Sequence, residues 1–462
     1  MSSTVALNKE PICCALGRTE TPTSLLFQKK IAELHTRQAL KRDRHGFDLG
    51  AGATMGRIMT QSGIVLTRTE ERILILILAW VQCTHILDFV IMMPLGPQFM
   101  RIFEISPPQF GLLVSAYTFS AAGSGLLCAG VVDRFDRKKV LLVLYFGFVL
   151  GTLLCAIATN YQMLMLARIF AGAFGGVLSA TVFAVLGDGI PIERRGVATG
   201  IVMSAFSLAS VIGVPIGLFL ATRFDWHTPF SALAGLGVVV LALIGFGMPS
   251  MRGHVVPGQT PQAFLKIIEL LREPIHWKAF AMTASLMLAG FTVIPFMSPA
   301  MVANFKVAEA DLQYVYLVGG LFTFFTSRWI GKLCDRFGYI QIFTPVALLS
   351  LAPILLVTHL GSVPFAGAIA ISSLFMVLVS GRFVPSMALL NAVVVPKNRG
   401  AFMNLNSSVQ SLFSGIASLI AGKMITQSPG GELLGYPAVG YLACSATLLT
   451  IVLGFRLSRA RE

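Results

Sequence analysis

The sequence predicts an all-α integral membrane protein, with about twelve transmembrane helices in two six-helix bundles related by a parallel repeat. Three observations carry that expectation. Only 12% of the 462 residues are charged and 55% are hydrophobic, whereas a soluble chain carries about a quarter charged residues. Apolar runs of about 18 residues or more, long enough to cross a bilayer, recur along almost the whole chain after Arg72. Asp-Arg-Phe occurs twice, at 133–135 and 335–337, 202 residues apart and each time just after a long apolar run.

Residues 1–71 differ from everything that follows. They are polar and basic, with no apolar run long enough for a signal peptide. A short exposed helix over "KKIAELHTRQALKRDRH" is the most that composition permits, so a disordered tail is expected, with Met55 and Met59 as alternative starts. The first bundle, within 72–250, has spans near 73–100, 108–132, 138–158, 161–188, 197–221 and 228–248. The stretch 251–276 then interrupts the series with Pro and Gly, followed by an amphipathic segment near 261–273 that puts Lys266, Glu269 and Arg272 on one face. It reads as a linker with an interfacial helix. The second bundle, within 277–462, has spans near 277–303, 310–334, 340–359, 364–390, 401–426 and 436–457. Six spans is an even number, so the two bundles share one orientation, and each Asp-Arg-Phe falls at the exit of its bundle's second span. Pro97 with Pro299 and Phe103 with Phe305 repeat at the same offset.

The formal net charge is +14. In a soluble chain that would suggest nucleic acid, but here Lys and Arg collect in alternate loops, around Arg134, Arg137, Lys138, Arg194, Arg252, Arg336, Arg399 and Arg456. That asymmetry reports orientation: this face, with both termini, is expected to be cytoplasmic, in a bacterial inner membrane. The seven cysteines show no metal spacing, and neither a cofactor nor a metal is expected. The implied partners are the lipid bilayer and a small-molecule substrate, with no nucleic acid, and the chain is expected to work as a monomer.

The repeated loop carries a resemblance. Gly331, Leu333, Asp335, Arg336 and Gly338 match the signature Gly-x-Leu-Ala-Asp-Arg/Lys-x-Gly-Arg-Arg/Lys, while Tyr339 replaces a basic residue. In the first half Asp133, Arg134, Arg137 and Lys138 match, and Ala129 and Asp136 replace the two glycines, which implies a stiffer turn. Arg168 to Gly172 supplies an Arg-x-x-x-Gly in the fourth span. The chain thereby resembles the major facilitator superfamily, and "LDFVIMMPLGP", "GRFVPSMALL" and "RGAFMNLNSSVQSLFSGIAS" are similar to its bacterial drug and sugar efflux permeases of the arabinose-efflux type. The resemblance implies that Asp133 and the basic residues after it, with Asp335 and Arg336 in the second half, latch the cytoplasmic gate. In the fifth span Gly213-Val-Pro215-Ile-Gly217 departs from the antiporter branch's Gly-Pro-x-x-Gly-Gly. Its glycines and Pro215 are expected to allow close packing and a bend between the halves.

Asp88 is the most informative residue. An ionisable group inside a span is costly and faces a partner or a water-filled cavity, and burial and a neighbouring cation push carboxylate ionisation in opposite directions, poising such a group for proton exchange. At 1.5 Å rise per residue Asp88 and Arg168 fall at matching depths, so an ion pair is expected, serving either coupling or simple helix docking. His85, three residues before Asp88, shares its helical face. Arg382, deep in the tenth span, is expected in the cytoplasmic gate. Gln82, Phe89, Tyr117, Phe291, Asn391, Asn404 and Gln410 are candidate substrate contacts, a largely apolar set with few polar anchors. There is no HExxH, no P-loop and no protease-like Ser/His motif. The expectation is a secondary transporter, not an enzyme, driving proton-coupled efflux of a small drug-like or sugar-like solute by alternating access. Proton- or sodium-coupled uptake is the alternative, and a non-transporting membrane sensor a remote one.

Overall fold

The computed structural model describes residues 58–59 and 65–459, apart from 129–130, 253–262 and 396–397. Most of the tail expected over 1–71 and the middle of the expected linker lie outside the described residues. So do the side chains of Asp133 and Lys266.

The first helix, α1 (Arg68–Ile91), starts one turn before Arg72 because Thr67 and Glu70 cap each other. The Thr67 hydroxyl accepts the Glu70 N–H at 3.2 Å and the Glu70 carboxylate accepts the Thr67 N–H at 2.8 Å, satisfying two donors that a helix start leaves free. The span breaks at 92–95, where Pro94 cannot continue the ladder, and resumes as the short α2 (Gly96–Ile102). The second bundle repeats the device with α10 (Pro274–Phe291) and α11 (Ile294–Ala303). The repeat reaches the backbone itself. Glu104 (φ 50°) and Lys306 (φ 62°) stand 202 residues apart, both in the left-handed region that costs an L residue about 1–2 kcal/mol.

The remaining helices of the first bundle are α3 (Pro107–Cys128), α4 (Arg137–Ala156), α5 (Tyr161–Gly189), α6 (Ile192–Leu208), α7 (Val214–Arg223) and α8 (His227–Gly247). Asn160 caps α5 by accepting the Met163 N–H at 2.8 Å. A π turn over Ala209–Gly213 joins α6 to α7. Pro215 explains it, since its ring has no N–H and clashes with the carbonyl four residues back. The amphipathic α9 (Ala263–Arg272) follows, its last carbonyls accepting hydrogen bonds from the His276 and Trp277 rings at 2.8 Å each. The second bundle continues with α12 (Leu312–Phe337), α13 (Tyr339–Leu349), α14 (Leu351–His359), α15 (Phe365–Gly381), α16 (Phe383–Val393), α17 (Arg399–Met424) and α18 (Tyr436–Arg459). Ten stretches of helix among the described residues are long and apolar enough to span a bilayer. The two more polar helices, α12 and α17, complete the twelve.

Those two are polar because they face the other bundle. Along α3 and α17 the backbones nearly touch: a Cβ on Gly111 would lie 2.6 Å from the Ser418 carbonyl and 3.3 Å from the Gly422 Cα. The Ser115 hydroxyl donates across to the Gly415 carbonyl at 2.8 Å. On the other flank, a Cβ on Gly320 of α12 would meet the Ser210 carbonyl of the π turn at 2.9 Å. Gly213 and Gly217 were expected between the bundles, and the structure corrects this. They pack against Leu87 and Ile91 of α1, inside the first bundle. Helix rotation decides it, because the π turn swings Ser210 and Val211, rather than the glycines, toward α12.

The two ends of the molecule differ. At the face opposite the basic clusters one apolar core runs through both bundles, from Ile91, Phe99 and Phe110 to Val293, Phe296 and Met301. An Arg101–Glu309 ion pair at 2.8 Å links the bundles at its rim. Toward the basic face the core divides in two. Leu78, Leu141 and Leu186 belong to the first bundle's core, and Phe280, Phe343 and Phe402 to the second's.

Candidate functional site

Four helices converge on one buried ion pair, and a fifth reaches it through an aromatic chain. Asp88 of α1 is 0% exposed and Arg168 of α5 is 1% exposed. Arg168 Nη1 donates to Asp88 Oδ2 at 2.8 Å, and the Thr152 hydroxyl, from α4, donates to Asp88 Oδ1 at 3.0 Å. The guanidinium carbon sits 4.4 Å over the ring of Tyr117 from α3, a cation–π contact that desolvation strengthens. Tyr117 in turn packs on Phe89 (ring centroids 5.3 Å apart), and Phe89 on Phe291 of α10 (6.0 Å). The aromatic chain therefore runs from the ion pair to the second bundle.

Glycines make this convergence possible. A Cβ on Gly172 or Gly176 of α5 would drive into the α3 backbone at Tyr117 or Ala121, and one on Gly175 would strike the Tyr117 hydroxyl and come within 3.2 Å of His85 Nε2. The Tyr117 hydroxyl and both His85 ring nitrogens are buried and have no hydrogen-bond partner among the described residues. Buried polar groups normally find partners, and the Gly175 backbone offers His85 no more than a weak one. Gln82, one turn further along α1, exchanges hydrogen bonds with Ser179 at 3.1 and 3.3 Å.

The other expected substrate contacts do not gather here. Asn404 is exposed on α17, Asn391 is half-buried on α16, and Gln410 points its amide at the Met387 sulfur at 3.8 Å. The better polar position on α17 is Asn406, buried and accepting the Thr283 hydroxyl at 2.6 Å.

At the basic face, Arg137 is paired with Asp188 at 2.8 Å, while Arg134, Asp335 and Arg336 are exposed and Lys138 is half-buried. Asp136 stands where the second half has Gly338 (φ 95°), yet takes an ordinary φ of −54° as N-cap of α4. Its carboxylate accepts the Lys138 and Met251 N–H groups at 2.9 and 3.0 Å, the Ser250 hydroxyl, and Arg252 Nε at 3.4 Å. Burial works to raise its pKa, but these four donors outweigh burial and hold it below the ordinary carboxylate value. The departure from glycine thus ties the start of the linker to the first bundle.

Arg382 is a second correction. It was expected in the gate at the basic face, yet it is 1% exposed at the break between α15 and α16, donating to the Thr447 hydroxyl of α18 at 2.8 Å. The break follows from Pro385, and it turns the guanidinium into the second bundle rather than toward the first. Sequence reasoning passed over Thr152, Glu71 with its bidentate Arg194 (2.6 and 2.8 Å), and Arg101 with Glu309. An acid four residues after the Thr67 cap, at the edge of the first apolar run, is a usable signal for the Glu71 pair. Thr152 gave none, because hydroxyls are common in spans.

A model of the Major Facilitator Superfamily matches residues 78–380 and 279–462. The chain belongs to the major facilitator superfamily. It is 25% identical over 373 residues to the inner membrane transport protein YdhP of Escherichia coli (strain K12), covering 79% of this chain and 91% of that protein. It is 23% identical over 357 residues to a probable sugar efflux transporter of Mannheimia succiniciproducens, covering 76% and 86%. The crystal structure of a D-xylose-proton symporter shares the fold, with a TM-score of 0.66 at 16% identity over 82% of this chain and 97% of that one. This major facilitator protein is accordingly a multi-pass membrane transporter of a small-molecule substrate.

Proposed function

We propose that the chain is a proton-coupled secondary transporter that exports a small drug-like or sugar-like solute, with Asp88 as the proton site and Arg168 as its counter-ion. The observation that carries this is the buried Asp88–Arg168 pair at the end of an aromatic chain that reaches the other bundle. Protonating Asp88 releases the guanidinium from its carboxylate, so proton uptake changes the charge offered to a solute lying against Tyr117, Phe89 and Phe291. His85 and the Tyr117 hydroxyl supply unspent hydrogen-bonding groups beside it. In this reading the basic face is cytoplasmic, and the continuous apolar core with Arg101–Glu309 seals the outside while the divided cores leave the inside open. Exposed Arg134, Asp335 and Arg336 are then waiting latch residues that engage when the inner ends close.

Inside-out vesicles with an acidic lumen test the reading. Export coupled to proton entry accumulates solute in the lumen, across a panel of sugars and a lipophilic cationic dye, and a sodium gradient does not substitute. A second reading, proton-coupled uptake, is favoured by the altered Gly213–Gly217 motif and by the shared fold with a symporter. It predicts depletion of preloaded lumenal solute under the same gradient. No response to either gradient would overturn both.

A further inference from the structure

Thr152 has one hydroxyl hydrogen and two acceptors in range: Asp88 Oδ1 at 3.0 Å and the Phe148 carbonyl at 3.2 Å. It is 1% exposed, and both oxygens it can reach are buried with it. A hydroxyl has one donor and two acceptor lone pairs, and a helix carbonyl has a second lone pair to spare. We infer that Thr152 is a positioning residue for the proton step, a two-state hydrogen-bond partner that satisfies Asp88 both ionised and protonated.

With Asp88 ionised, Thr152 donates to Oδ1 and Arg168 to Oδ2, as the structure shows. When a proton arrives on Oδ1, the Thr152 hydrogen turns to the Phe148 carbonyl, and the new Asp88 O–H donates to the vacated lone pair on Thr152 Oγ1. The proton stays on Asp88, no atom besides the hydroxyl hydrogen moves, and Arg168 is left free to separate. Both states keep Asp88 Oδ1 and the Thr152 hydroxyl partnered, so neither pays the cost of a buried polar group left unsatisfied. The charged and titratable groups around Asp88 are Arg168 from α5, Tyr117 from α3, Cys155 from α4 and His85 from α1 itself. Of these only Arg168 is bonded to the carboxylate. Glu71 and Arg194 lie at the far end of α1, and His227 at the start of α8 is turned to Asp225 and the Ala158 carbonyl.

This inference rests on Asp88 being the proton site, and infrared difference spectroscopy separates the two claims without any solute. In the purified protein in lipid, the carbonyl band of a protonated carboxyl group that vanishes in Asp88→Asn is followed against pH. Thr152→Val keeps the shape and removes the hydroxyl. It should move that band to higher frequency and its midpoint to higher pH by about one unit, because hydrogen bonds to ionised acceptors exceed those to neutral ones. Thr152→Ser should restore both, which a packing role for the threonine methyl would not. An unchanged band and midpoint in a folded Thr152→Val protein would overturn the Thr152 inference alone. If no band is lost in Asp88→Asn, the proton-site reading fails first.

Discussion

Replacing Asp88 by Asn isolates what the buried pair does. Arg168 is 1% exposed, and the carboxylate at 2.8 Å is its one charged partner among the described residues. Removing one member of a buried pair costs about 3–5 kcal/mol, because the other is left as an uncompensated charge. The Asn amide oxygen still accepts from Arg168 or Thr152, which puts the expected loss near the lower figure, roughly a hundredfold in the folding equilibrium. Arg168→Gln should cost less, because a lone Asp88 can neutralise itself by binding a proton whereas a guanidinium cannot shed one. The double variant Asp88→Asn with Arg168→Gln should therefore regain stability over Asp88→Asn alone while transporting without coupling to pH. Thermal unfolding of the detergent-purified proteins gives the ranking, and vesicles with an imposed pH gradient give the coupling. Asp88→Asn as stable as the parent, or undiminished pH-driven accumulation, would refute the reasoning.

Three other outcomes follow from the geometry. Arg101→Cys with Glu309→Cys should cross-link across the bundles and halt turnover until reduced, whereas Arg101→Gln alone, at an exposed pair worth about 0.2–1 kcal/mol, should leave stability nearly unchanged; turnover persisting in the cross-linked protein would show that this rim does not open. Gly111→Val inserts side-chain atoms where even a Cβ would lie 2.6 Å from the Ser418 carbonyl, and should abolish transport while each bundle stays helical by circular dichroism; normal transport would mean that α3 and α17 need not approach this closely. Asp136, whose folded pKa is lowered, stabilises the fold above its unfolded value of about 3.9 and loses that contribution as pH falls through its folded value. The melting temperature of Asp136→Asn should accordingly fall below the parent's at neutral pH and converge with it in strong acid; a gap independent of pH would assign the effect to packing rather than charge.

Hydropathy, the twelve spans and the parallel repeat belonged to the sequence alone, because membrane insertion reads each segment's own composition and every span must satisfy its backbone within itself. The depth match of Asp88 and Arg168 was also legible, since helix rise is constant and both spans have definable starts. What tertiary structure alone decided is which side of each helix faces what. The π turn at Ala209–Gly213 rotated Gly213 and Gly217 onto α1, and the break before Phe383 turned Arg382 into its own bundle. Asp136 became an anchor for Ser250–Arg252, more than a hundred residues on. Thr152 became the second partner of Asp88, although nothing in its own span sets it apart from other hydroxyls. Depth along a helix follows from counting residues, but azimuth depends on every bend before the contact and on partners distant in the chain.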